Sequence, residues 1–209
     1  MQANWTRLKR EDAHQVLSKL SGHRDAVVFA REATEVATRT LPFYNTYKLY
    51  RLVNYATMPT FSMLYLSNGE EFISIDGTAN PIYAVNGKDP VSIMTDTVIP
   101  YLDFFFSNVQ GSEGDIFLIK DPRKMPFLDS LSEGQQQSVV SSFKPLQVLP
   151  DGENPGAFRV QGTLYYGGGL IAATIQVMPN GRLSFAEQNL LLTGIHFPYS
   201  PYGHNSLEG

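Results

Sequence analysis

The sequence contains no cysteine, which excludes disulfide bonds, thiolate metal ligands and a cysteine nucleophile. The formal net charge is −4 and no basic run occurs, so the electrostatic footprint of a nucleic-acid-binding protein is missing. No apolar stretch approaches the ~20 residues that a transmembrane helix needs. We therefore expect neither a nucleic acid nor a membrane as a partner.

The first residues have no apolar segment of the kind found in signal peptides. Together with the absence of cysteine, which suits a reducing compartment, this favours a cytoplasmic location. The 209 residues are enough for one large domain or two small ones. We predict a single α+β domain over residues 1–209, with a subdivision near the two-proline loop 121–127 as the alternative.

Helical periodicity and capping residues predict four helices. An apolar stripe predicts one over Arg10–Leu20, and Asp25–Thr38 fits a helix, although its Val and Thr content leaves a strand open. Asp89 followed by Pro90 is typical of a helix start. Ser132 and Gln135 form a capping box that begins a helix ending near Phe143.

Alternating and apolar segments predict strands between and after these helices. Phe61–Leu66 and Phe72–Ile75 flank Asn68-Gly69, a hairpin signal whose register the sequence leaves ambiguous. Pairing Tyr65 with Ile73 gathers one apolar set on one face but leaves Leu64, Leu66 and Phe72 on the other. Ile82–Val85 fits a further short strand. The predicted fold class is α+β: mainly antiparallel, curved sheets packed by three to four helices, with a C-terminal helix followed by a β-meander.

The meander covers Phe158 to Phe185. Apolar and polar side chains alternate along its strands, and only certain turn lengths keep the apolar residues of neighbouring strands on the same face. A three-residue loop ending at Gly181 pairs Val177 with Leu183. A two-residue Gly167-Gly168 loop pairs Leu164 with Ile171, and it makes Gly169 a strand residue at a bulge or a close backbone approach. One face is then apolar, and we expect the helix that follows Ser132 to cover it.

The opposite face is polar but almost uncharged, and only six charged residues follow Pro145. Low charge combined with aromatic residues is typical of an interface core. We therefore expect something to cover this face: another part of the chain, a second copy or a ligand. The candidate binding residues are Arg159, Gln161, Thr163, Tyr165, Thr174 and Gln176, with His196 after the last apolar run.

The sequence contains no recognisable motif for catalysis or cofactor binding. Gly167 to Gly169 lie between strands and lack the lysine and helix start of a phosphate-binding loop. The four histidines have no metal-ligand spacing. His196 is a candidate general base, but no partner carboxylate is visible in the sequence. We assign no catalytic residue, metal or cofactor.

Two functional hypotheses follow. The first is a non-catalytic interaction domain that acts as a homo-oligomer or adaptor through the polar sheet face, because a homodimer is the commonest way to cover such a face. The second is a small-molecule-binding protein or enzyme with a pocket between the sheet and the helices. His196, Tyr165, Asp103 and Gln161 are its candidate polar groups. The aromatic, proline-rich tail 196–204 packs on its own domain or docks on a partner.

Overall fold

The computed structural model describes residues 5–22, 28–125 and 128–195, except for the side chain of Ser130. Within these ranges the chain forms helices and two antiparallel sheets, so the predicted α+β class is confirmed. Contacts divide the chain into two compact units, Met1–Ser92 and Ile93–Gly209. The single domain with a subdivision near 121–127 stays a prediction. No helix in these ranges has the length and apolar character needed to cross a bilayer.

The first unit is built on a five-stranded meander in which neighbouring strands follow each other in the sequence. Its strands are β1 (Thr6–Arg7), β2 (Thr34–Thr40), β3 (Lys48–Asn54), β4 (Phe61–Ser67) and β5 (Phe72–Ser74). The predicted helix α1 (Arg10–Leu20) buries the apolar stripe that ends at Leu20. This stripe packs on Val36, Leu52, Tyr65 and Phe72 of one sheet face.

Two secondary-structure predictions in this unit were wrong. Where a helix was expected up to Thr38, the chain forms β2, and every residue of β2 pairs with β3. The Val and Thr residues of this segment, which made a strand the alternative prediction, suit the pairing of β2 with β3. This pairing outweighs the helical periodicity of the sequence. Residues expected as a strand over Ile82–Val85 lie inside helix α2 (Asn80–Lys88).

Asp89 does not begin a helix either. It ends α2, and the next helix, α3, covers Val98–Phe106. The predicted hairpin forms. Its register, which the sequence left ambiguous, pairs Tyr65 with Ser74 and Leu66 with Ile73, one residue away from the pairing of Tyr65 with Ile73.

The second unit contains the C-terminal sheet. Its strands are β6 (Ile116–Leu118), β7 (Gln147–Pro150), β8 (Phe158–Tyr166), β9 (Gly169–Val177) and β10 (Leu183–Leu192). The order is β10–β9–β8–β6, and β7 also pairs with β8. The helices are α3 and α4 (Glu133–Ser142), with the predicted Ser132–Gln135 capping box in place.

The strand pairing that parity predicted for this sheet is confirmed. Val177 pairs with Leu183, and Leu164 pairs with Ile171. Gly167 and Gly168 both have positive φ, at 57° and 78°, as the predicted two-residue turn requires.

The helix that was expected to cover the apolar face, α4, lies on the polar face, and α3 covers the apolar face. The ring of Phe106 in α3 stacks on Phe185 of the apolar face, and the Tyr101 hydroxyl donates a hydrogen bond to the Gly181 carbonyl. Val139 of α4 instead joins the cluster of Tyr165 and Leu170, which lie on the polar face. The physical reason is that α3 buries six large side chains, whereas Val139 is the buried residue of α4.

Candidate functional site

The polar face of the second sheet contains six of the seven predicted binding residues. The register of β8, β9 and β10 places the following side chains on it: Arg159, Gln161, Thr163, Tyr165, Leu170, Ala172, Thr174, Gln176, Ser184, Glu187 and Asn189. Most of the β8 and β9 part of this face is shielded by the chain itself. The face has three parts: two ends that different segments of the chain shield, and an open part between them.

The first part is the end that contains Thr163 and Tyr165, which lies under α4. The Thr163 hydroxyl accepts a hydrogen bond from the Lys144 N–H at 2.8 Å and donates one to the Lys144 carbonyl at 3.2 Å. The Tyr165 ring stacks on Phe117 with 4.7 Å between centroids, and its hydroxyl donates to the Ile195 carbonyl. Both polar groups are thus satisfied inside the chain, where they stabilise the segments beside β8.

The second part is the opposite end, where Arg159 and Gln176 hold Asp151. The Gln176 amide donates to one oxygen of this buried carboxylate at 2.5 Å, and the Glu153 N–H donates to the other at 3.0 Å. Arg159 Nε lies 3.4 Å from Asp151 Oδ1 as an ion pair. The pKa of Asp151 is lowered to about 2, most strongly by the hydrogen bond from Gln176 and next by the one from the Glu153 N–H. Arg159 and Gln176 therefore fix the loop after β7 on the sheet.

The third part lies between these two ends and is open. A cavity of about 150 Å³ is lined by side chains and backbone from three strands and from the chain before β7. We call it the sheet cleft, and its lining residues are Lys144, Gln161, Gly162, Ala172, Ala173, Thr174, Glu187 and Asn189. Among the small lining residues, Ala172 lies on the polar face, and its methyl group is too short to fill this space.

Polar groups dominate the sheet cleft. Thr174 is buried, and its hydroxyl donates to Glu187 Oε2 at 3.5 Å. Gln161 is half-buried, and within the described ranges its amide makes no hydrogen bond. Lys144 and Glu187 are exposed charges of opposite sign in the lining. Because a half-buried amide with open donors and acceptors favours a polar partner, the cleft suits an uncharged polar group.

Sequence reasoning found Gln161 and Thr174 but missed Lys144, Glu187 and Asn189. The reason for the last two is a β-bulge at Ala186, which shifts the alternation of β10 so that Glu187 pairs with Thr174. A strict period of two places Glu187 on the apolar face, beside Phe185. Lys144 lies in an irregular segment whose backbone bonds to Thr163, and no periodic signal indicates such a contact.

Among the described residues, the strand β10 is an edge of the sheet next to the cleft. Within the described residues it pairs with β9 only, and Ala186 to Leu190 are exposed. The side chain of Leu190 is 65% exposed. Glu187 is the one charged residue among the ten residues of the strand.

The remaining candidates lie elsewhere. His196 and the tail 196–204 are outside the described residues. Asp103 forms an ion pair with Lys120, and neither Asp103 nor Tyr165 lines the cleft. Across the described part of the chain, no group of three or more His, Asp or Glu residues is placed to hold a metal ion.

Comparisons with protein-family models, with curated proteins and with solved structures find no match to this chain. We therefore infer a function from the geometry of the cleft and of the β10 edge.

Proposed function

We propose that the chain is a non-catalytic interaction domain that self-associates through β10, with the sheet cleft beside the junction. The observation that carries this proposal is the exposed, nearly uncharged edge of β10. An edge strand presents unpaired N–H and C=O groups, which are a template for pairing with another strand.

Soluble proteins usually protect such edges with lysine, proline, inward charges or bulges. In β10, lysine and proline are absent, and Glu187 is the single charge. Bulges occur at Ala186 and Leu191, but they bracket Glu187–Leu190, which pairs regularly with β9. This four-residue segment is the part of the edge that supports strand addition.

A second copy is the partner that this segment fits. In a two-fold antiparallel pair a residue lies opposite itself, and side chains opposite each other share a face. Centring the pair on Gln188 sets Glu187 opposite Asn189 of the second copy, so a carboxylate meets an amide and no like charges face each other. The two sheet clefts then lie next to the junction, because Glu187 and Asn189 line them.

The size of the cleft favours this proposal over a metabolite site. Its volume is about 150 Å³, whereas small-molecule pockets are typically ~300–1,000 Å³. A cavity of this size accommodates a side chain from another protein molecule more readily than a cofactor or a metabolite.

Size-exclusion chromatography with light scattering at low micromolar concentration tests the proposal. We expect the wild-type protein to have twice the mass of one chain. Gln188→Lys is expected to yield monomers, because it sets two lysines opposite each other at the two-fold axis. The matched control is Gln147→Lys, which adds the same charge to the exposed strand β7 on the other edge of the sheet and is expected to leave the dimer intact.

Far-UV circular dichroism and a thermal melt check that both variants keep the wild-type fold. A wild-type protein that stays monomeric contradicts self-association. A dimer that persists in Gln188→Lys with an unchanged dissociation constant contradicts the β10 junction.

A further inference from the structure

The described part of the chain ends at Ile195, on the polar face of the second sheet. The Ile195 N–H donates a hydrogen bond to the Gly168 carbonyl at 2.9 Å, and the Ile195 carbonyl accepts one from the Tyr165 hydroxyl at 3.2 Å. The Ile195 side chain is buried in the cluster that contains Tyr165 and Leu170. The aromatic, proline-rich tail 196–204 therefore starts from a fixed point beside the covered end of the polar face.

The sheet cleft lies on the same face, a short distance along β9. Leu170 shares a cluster with Ile195, whereas Ala172 and Thr174, two and four residues further along β9, line the cleft. With a rise of ~3.3 Å per strand residue, the cleft extends from about 7 to about 13 Å beyond Leu170. A proline-rich segment advances ~3.1 Å per residue, so the fourth residue after Ile195, which is Tyr199, reaches about 12 Å.

The lining of the sheet cleft suits a tyrosine side chain. Toward the described part of the chain, the side chains of Lys144, Gln161 and Asn189 make neither a hydrogen bond nor an ion pair. They offer N–H donors and amide acceptors, and Glu187 adds a carboxylate acceptor. A phenol hydroxyl can donate to and accept from such groups, and its uncharged ring can lie on the methyl group of Ala172.

We propose that the tail docks in the sheet cleft of its own chain, with the side chain of Tyr199 in the cavity. The proposal does not depend on self-association through β10. Because Tyr199 is tethered four residues after Ile195, its effective concentration at the cleft is on the order of millimolar. Pro198 and Pro201 flank the Ser200 neighbourhood of the anchor and reduce the entropy lost on docking. The tail then covers the open part of the polar face.

Disulfide trapping tests this proposal directly, because the chain has no native cysteine. The double variant Asn189→Cys, Ser200→Cys places one thiol on the wall of the cleft and one beside Tyr199 in the full-length protein. The matched control joins Ser200→Cys to Leu190→Cys. Leu190 is exposed and pairs with Ile171, so it lies on the opposite face of the same strand.

We expect the cleft pair to form a disulfide within one chain at least about tenfold faster than the control pair, because docking keeps its sulfur atoms within bonding distance. Adding Tyr199→Ser to the cleft pair is expected to slow the reaction toward the rate of the control pair. Tyr202→Ser makes the same change three residues later in the tail and is expected to leave the rate of the cleft pair unchanged.

Non-reducing electrophoresis and mass spectrometry measure the products, and circular dichroism verifies the fold. Should Asn189→Cys disturb the fold, Gln161→Cys supplies a thiol from another strand of the cleft. Repeating the assay with Gln188→Lys added separates docking from self-association, because a tail bound to its own chain reacts at the same rate in a monomer. Equal rates in the cleft and control pairs overturn the proposal. A cleft-pair disulfide that joins two chains also overturns it, since the tail of a second copy would then fill the cleft.

Discussion

Three consecutive glycines, Gly167 to Gly169, connect β8 to β9. Gly167 and Gly168 supply the positive φ angles of the turn, which residues with a Cβ adopt only with strain. Gly169 lies in the strand, where a Cβ would be 2.8 Å from the Leu192 carbonyl oxygen. The third glycine therefore permits the close approach of β10 at its second bulge.

The variant Gly169→Ala tests this close approach. Because the obstructing atom belongs to the backbone, β9 and β10 must move apart, and we expect a loss of about 1–3 kcal/mol in the free energy of unfolding. Urea denaturation measures this loss. Gly87→Ala is the matched control, since Gly87 lies in α2, where an added methyl group would meet no atom within 4 Å apart from the backbone of its own helix and its chain neighbours. The control is expected to be neutral or stabilising, and equal losses in both variants would contradict the role of Gly169 in packing.

Among the elements, α4 has few apolar contacts, so its capping box matters for its stability. The Ser132 hydroxyl accepts a hydrogen bond from the Gln135 N–H, and the Gln135 side chain accepts one from the Ser132 N–H. This arrangement satisfies donors that the first turn of a helix otherwise leaves open. Since α4 covers Tyr165 and Leu170, the cap also supports the covered end of the polar face.

The variant Ser132→Ala is expected to lower the free energy of unfolding by about 0.5–2 kcal/mol, the usual range for removing an N-cap. Chemical denaturation provides the measurement. Ser138→Ala, in the middle of the same helix, serves as its control, because Ser138 is half-buried, its hydroxyl donates only to the Gly134 carbonyl of the same helix, and alanine is the better helix former. A cap variant as stable as this control would show that the capping box contributes nothing to α4.

At the same scale, the sequence predicted some elements and missed others for identifiable reasons. The β8–β9–β10 meander and the α4 cap were predictable because turn residues and alternation act between near neighbours in the chain. Residues 34–40 and 80–88 were misassigned because their patterns are ambiguous. Residues 34–40 form a strand because they pair with β3. Residues 80–88 form a helix in which Ile82 and Val85 are buried.

On the scale of the whole molecule, buried aspartates link stability to pH. Burial raises the pKa of Asp89, but the N–H groups of Thr46 and Tyr47, the Thr46 hydroxyl and the Asn45 N–H outweigh it, so its pKa lies below the ordinary value. The pKa of Asp151 is lowered further, to about 2, chiefly by Gln176. Both carboxylates hold loops in their charged form, and protonation removes that stabilisation.

We therefore expect stability to be independent of these groups above about pH 5 and to fall as the pH is lowered toward about 2. The sign follows because the unfolded state, with its higher pKa, takes up protons first. Urea denaturation between about pH 7 and pH 2 measures the slope. Asp151→Asn is expected to be less stable than the wild type at neutral pH and to approach it as the pH falls. A difference between the two that does not change with pH would rule out the role of the Asp151 charge.

The sequence by itself determined the α+β class, the parity of the last sheet and six residues of its polar face, because these follow from local turn geometry and the two-residue period of a strand. The tertiary structure decided which helix covers which face, since that depends on the competing apolar areas of α3 and α4. It also decided the composition of the sheet cleft. A single bulge at Ala186 moved Glu187 and Asn189 to the polar face, and a backbone contact to Thr163 brought Lys144 to it. Neither event has a periodic signal in the sequence, because each results from contacts between segments that are distant along the chain.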